Sequence, residues 1–153
     1  MLYGLALLAG IVAGSRTFTA PAAVSWAARL GYLHLDGSWL AFMGYAWTPW
    51  IFTLLAIVEM VGDQLPSTPS RKVPMQFGAR IVGGALSGAT IGAAAGSWII
   101  GLIAGVIGAV IGTFGGAEIR ARMAKAFGRD APAAFIEDAG AILLGLVIIW
   151  ALR

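Results

Sequence analysis

Residues 98–116 read WIIGLIAGVIGAVIGTFGG, a run without a charged side chain. Crossing the hydrocarbon of a bilayer as an α-helix takes about 20 mostly apolar residues, so this run predicts a membrane span. Just before it, Gly96 and Ser97 separate a second apolar run, residues 77–96. So short a connection predicts a tight, glycine-rich helical hairpin. Working outward, residues 133–151 predict a span downstream and residues 48–65 one upstream. The first span is expected over residues 2–28, broken near Arg16–Pro21. The resulting expectation is an all-α, polytopic integral membrane protein of about five transmembrane helices, one domain over residues 1–153.

Composition agrees with that reading. The chain is 59% hydrophobic and 11% charged, with mean hydropathy +0.88, whereas a soluble domain carries about 25% charged residues. Too little charge remains to cover a surface facing water. The absence of cysteine excludes disulfides and thiolate metal sites.

Most of the basic residues fall in two stretches, Arg71, Lys72 and Arg80, then Arg120, Arg122, Lys125 and Arg129. No base-stacking or groove-reading module accompanies them, which argues against a nucleic-acid partner. They flank apolar runs, and the positive-inside bias places residues 66–80 and 117–132 in the cytoplasm. Five crossings then put the N-terminus inside and the C-terminus outside, in a bacterial cytoplasmic membrane. The same choice sends Trp26, Trp39, Trp47, Trp50, Trp98 and Trp150 to the outer interface, where a ring with one polar N–H is favoured. The opening stretch lacks the basic region of a signal peptide and reads as a retained span.

Gly84, Gly88, Gly92 and Gly96 recur every fourth residue, and Gly101, Gly105, Gly108, Gly112 and Gly115 at alternating spacings of four and three. Such faces let helix backbones approach closely, which drives association where lipid removes the hydrophobic effect. One face suits the hairpin and another a neighbouring helix or a second copy; a thinned pore wall or sliding seam is the alternative. Gly10 and Gly14 repeat the spacing of Gly84 and Gly88, and the same offset sets Asp63 beside Glu137. This hints at an internal repeat of residues 1–66 and 76–153.

Ionisable groups within spans are costly, and so point to function or to pairing. Arg16 is the deepest, in Gly14-Ser15-Arg16-Thr17-Phe18-Thr19-Ala20-Pro21. Pro21 denies an N–H to the carbonyl near Thr17, and a new helix starting there, capped by Thr19, would offer an anion site with Arg16. Glu59 and Asp63 share a helix face, and Glu137 and Asp138 enter the last span at a similar depth. These carboxylates suit a cation or proton, or serve to neutralise Arg16, Arg80 and Arg120. His34 stands alone and predicts no metal site. No phosphate loop, nucleophile elbow, zinc-protease motif or dinucleotide fingerprint is present, so neither an enzyme nor a cofactor is indicated.

The stretch Gly14–Ala23 with Ser25–Gly31, then Glu59–Arg71, Gly112–Gly116 and Glu137–Ala139, resembles the bacterial and plant membrane family catalogued as domain of unknown function 4126. The resemblance covers nearly the whole chain and implies a small multi-span protein without a settled activity. Its motifs contain Arg16, Thr17, Thr19, Glu59, Asp63, Thr68 and Arg71.

The expected function is a small channel- or transporter-like protein, a homo-oligomer in the lipid bilayer, moving a small ion or polar solute. Arg16, Thr17 and Thr19 would form its selectivity point, Glu59, Asp63, Glu137 and Asp138 an inner vestibule, and Thr68, Arg71 and Arg80 the inner loop. Gly84, Gly88, Gly92, Gly105 and Gly112 would pack its helices. The alternative is a non-transporting scaffold or accessory subunit in which the same charges are internal struts.

Overall fold

The computed structural model describes residues 1–65, 70 and 72–153, so the expectations for Thr68 and Arg71 lie outside the described residues. Among the described residues the chain is all-helical: α1 Leu2–Ser15, α2 Thr19–Arg29, a 3-10 turn Ala41–Gly44, α3 Thr48–Asp63, α4 Pro74–Ala94, α5 Trp98–Phe127 and α6 Asp130–Leu152. The ends are set locally. Pro49 and Pro74 open α3 and α4 at the position where proline's missing N–H costs nothing. The Ser97 hydroxyl caps α5 by accepting from the Ile100 N–H at 3.4 Å. Gly128, at φ 72°, stops α5 in the left-handed conformation that suits glycine.

α5 runs past the apolar stretch to Phe127, and its extension carries an exposed Arg122–Glu118 pair at 2.7 Å, one helical turn apart. The Glu118 carboxyl lies below its ordinary range because Arg122 donates a hydrogen bond to it. α5 and α6 are long and apolar enough to cross a membrane, and α1 is apolar but shorter.

Three helices pack backbone to backbone. A Cβ on Gly92 would stand 2.6 Å from the Ser97 carbonyl oxygen, and one on Gly84 would stand 2.7 Å from the Ala109 Cβ. α4 and α5 are therefore antiparallel, joined by the turn at Gly96, whose φ of 98° requires glycine. On the other side of α5, Gly10 meets Gly105, and Gly14 lies against Ala109 and Gly112. Residue numbers rise together along α1 and α5, so these two helices run in parallel.

This direction overturns the expected position of the N-terminus. The Tyr3 hydroxyl donates to the Ala95 carbonyl at 3.3 Å, at the turn between α4 and α5. The start of α1 thus lies beside Trp98, and its end meets Arg80 near the start of α4. The N-terminus is at the opposite end of the bundle from the basic segments. After the break the chain reverses instead of continuing: Thr17 lies beside Glu59, whereas Trp26 packs on Trp50 with ring centroids 5.0 Å apart. The expected first span is a hairpin of two antiparallel helices of 14 and 11 residues. Trp39 packs on Trp98 at 5.6 Å, and Trp150 ends α6 near Leu152, so the tryptophans gather at the end where α1 begins.

Candidate functional site: an ion cluster at the helix reversal

Arg16 takes up extended backbone, φ −136° and ψ 112°, between α1 and α2. Each helix end exposed by the reversal is closed by a charge from another helix. Glu59 on α3 accepts the Thr17 N–H at 2.8 Å and the Phe18 N–H at 3.0 Å, so a carboxylate faces the positive end of α2. Arg80 on α4 donates to the carbonyls of Gly14 at 3.0 Å and Ser15 at 2.6 Å, so a guanidinium faces the negative end of α1. Glu59 and Arg80 then pair with each other at 3.6 Å.

Two expectations change here. Residue Phe18, not Thr19, stands at the N-cap of α2 and no side-chain cap is made there, because Glu59 supplies the acceptor. The anion site expected at this helix start is occupied by that carboxylate. Arg80, expected in the inner loop, lies within α4 and is only 3% exposed.

The Arg16 side chain is fully buried and enters a second layer of charge. It pairs with Asp63 at 2.5 Å, Asp138 at 2.5 Å and Glu137 at 3.6 Å. Arg120 on α5 also bonds Asp63, reaches Glu137 at 3.3 Å and forks onto Asp130 at 2.9 and 2.5 Å. The Gln64 amide donates to Asp138 at 3.2 Å. Hence the structure brings together Arg16, Glu59, Asp63, Arg80, Glu137 and Asp138, with the Thr17 backbone. Thr19 stays apart, its buried hydroxyl making no hydrogen bond.

Arg120, Gln64 and Asp130 are members that the sequence reading left out of the site. Arg120 was expected only as a cation for the carboxylates to neutralise, and the extension of α5 past Gly116 turns it toward Asp63 on α3 and Glu137 on α6 in that role. Among the described residues no group of three or more side chains is placed to hold a metal ion.

A groove of about 230 Å³ between α1, α5 and α6 reaches the edge of the cluster, lined by Val12, Ser15, Ile136, Glu137 and Gly140 among others. Its walls are apolar apart from Ser15 and Glu137. Glu59→Ala is expected to lower stability by about 1–3 kcal/mol, the cost of losing a helix cap and leaving buried donors unmet. Chemical unfolding in detergent, followed by tryptophan fluorescence, measures it; an unchanged midpoint would show that water replaces the carboxylate freely. Compared with family models, curated proteins and solved structures, the chain matches none.

Proposed function

We propose that this chain is a small transporter-like integral membrane protein with its polar centre closed, and that its substrate is a small ion or polar solute. The observation that carries the reading is the buried Arg16 guanidinium held by Asp63 and Asp138 at the helix reversal. A bundle needs no such centre for stability, because apolar residues of equal volume often serve as well or better than a buried ion network. Charge retained at this depth points to a pathway. A 14-residue α1 spans about 21 Å, so the cluster sits about two-thirds of the way across a hydrocarbon layer about 30 Å thick.

The membrane arrangement is a re-entrant hairpin of α1 and α2, which turns back at the cluster, followed by four crossings, α3 to α6. The end that holds the close of α3, the start of α4 and residues 117–130 lies in the bacterial cytoplasm, and the tryptophan end with residues 1 and 153 lies outside. The outward faces of α5 and α6 support it, with Ile103, Ile107, Leu143 and Val147 about half exposed; such faces suit lipid or a second copy in a homo-oligomer. Helix direction alternates along the chain, so α1 and α4, the matched glycine helices, run in opposite senses. Opposed halves around a broken helix are a frequent transporter plan. The stretches that carry the resemblance to domain of unknown function 4126 supply Arg16, Glu59, Asp63, Glu137 and Asp138 of the cluster, while Arg80 and Arg120 come from outside them. In the working cycle a small anionic or polar solute displaces Asp63 or Asp138 from Arg16, and the released carboxylate takes a proton or a cation.

The scaffold reading keeps one specific observation in its favour: Arg16 is 0% exposed and each of its carboxylate partners is on another helix. Two measurements separate the readings. The chain has no cysteine, so Thr17→Cys is the only thiol, and a membrane-impermeant reagent is expected to label it from the basic side. Purified protein in liposomes is expected to pass protons, alkali cations or small anions severalfold faster than protein-free vesicles, with Asp138→Asn abolishing the excess. Absence of both labelling and flux would remove the transporter reading and leave the scaffold.

A further inference from the structure

A groove of about 270 Å³ lies between α2, α3 and α6, and no charged residue lines it. Its floor is made of small residues, Ala22, Ala23, Ala56 and Gly145, and Trp26 stands at one end. At the other end lies Thr19, 7% exposed, whose hydroxyl has no hydrogen-bond partner. Trp26 donates to the Thr53 hydroxyl at 3.0 Å, which fixes the indole as a shared wall. On its far side is a second pocket of about 290 Å³, formed by Trp26, Arg29, Ala46, Trp47 and Trp50. Arg29 is exposed and makes no ion pair among the described residues. An apolar groove and a pocket holding a lone guanidinium framed by indoles thus adjoin across Trp26.

We propose that this composite site holds one anionic glycerophospholipid from the leaflet at the tryptophan end. The proposal rests on the membrane reading above but not on transport. Arg29 matches the phosphate in charge and geometry, since its planar fork takes two phosphate oxygens at once. The indole N–H groups of Trp47 and Trp50 suit the headgroup level, where tryptophan is favoured. One acyl chain descends past Trp26 over Ala23 and Gly145. From Thr19 to Trp26 the slot follows α2 for about 10 Å, the length of part of one chain. An acyl ester or hydroxyl oxygen has no business that deep, so the Thr19 hydroxyl marks the floor and not a headgroup contact.

The test uses full-length protein exchanged into vesicles of phosphatidylcholine and phosphatidylglycerol in equal amounts, then extracted gently and analysed by native mass spectrometry. The wild type is expected to retain one phosphatidylglycerol per chain in preference to phosphatidylcholine. Arg29→Gln is expected to remove that preference severalfold. Gly145→Leu is expected to remove retention of either lipid, because a Cβ at Gly145 meets Ala23 Cβ at an ordinary 3.5 Å and leaves the longer side chain to fill the slot. Ala56→Phe fills it from α3 and is expected to act in the same way, and the melting point of each variant reports whether it folds. Equal retention in all variants, or no preference in the wild type, would overturn the proposal. Flotation of the same preparations reports on the membrane reading separately: protein that floats yet holds no preferred lipid sinks the lipid site alone, and wild type that fails to float sinks both.

Discussion

Arg16→Met is expected to cost about 3–5 kcal/mol, the penalty for stripping one partner from a buried ion pair. Against a total stability of about 5–15 kcal/mol, that is a large share, and the variant should purify in low yield with a clearly lowered melting point. The cause is not the lost attraction alone. Asp63 keeps Arg120 as a partner, but Asp138 is left with the Gln64 amide at 3.2 Å. A buried carboxylate supported by one neutral donor is expensive. The companion variant Arg16→Met with Asp138→Asn should therefore recover part of the loss, because it removes the stranded charge. Arg16→Lys should fall between, since a single ammonium cannot serve Asp63 and Asp138 in two directions as the guanidinium fork does. Thermal unfolding of the four proteins in one detergent measures all of this. If Arg16→Met melted with the wild type, the cluster would be neither strut nor closed gate.

How much of this was legible beforehand depends on the distance over which each feature is decided. The run 98–116 and its partner 77–96 announce helices and a hairpin because the apolar length and the Gly96–Ser97 break are local signals. The break at Arg16–Pro21 was equally legible. What the chain does after the break was not, because a kinked span and a reversed hairpin carry the same local residues. The choice is made by Glu59 and Arg80, which lie on other helices and close the two exposed helix ends. One signal did point the right way: residues 1–15 contain no lysine or arginine, so nothing held the N-terminus on the basic side. Treating residues 2–28 as one crossing also left more chain than a crossing needs. The clustering of Glu59, Asp63, Glu137 and Asp138 followed from helical spacing and equal depth, and Arg120 from being a cation near them, whereas Gln64 and Asp130 join through contacts between helices that no local pattern announces.

Gly105→Leu is expected to be the most damaging change on the glycine faces, because Gly105 is the point where α1, α4 and α5 all touch. A Cβ there would strike the Gly84 carbonyl oxygen and stand 2.9 Å from the Gly84 carbonyl carbon and 3.0 Å from the Gly88 Cα. These neighbours are backbone atoms, so no rotamer change relieves the clash and the helices must separate. On the opposite side the Gly105 carbonyl already occupies the space a Cβ on Gly10 would need. Even Gly105→Ala should cost about 1–3 kcal/mol, as overpacking of a close-packed site does. The leucine variant should part the three helices, carry Arg80 away from Gly14 and Ser15, and so loosen the ion cluster as well. Gly115→Ala is the matched control: nothing lies within 4 Å of its Cβ, and the gain in helix propensity should stabilise α5 by up to about 1 kcal/mol. Comparing the two by thermal unfolding and by thiol labelling of Thr17→Cys tests whether packing and polar centre are coupled. A destabilised Gly105→Leu whose position 17 stays as protected as in the wild type would separate them, and the cluster would then hold the α1–α2 reversal by its own ion pairs.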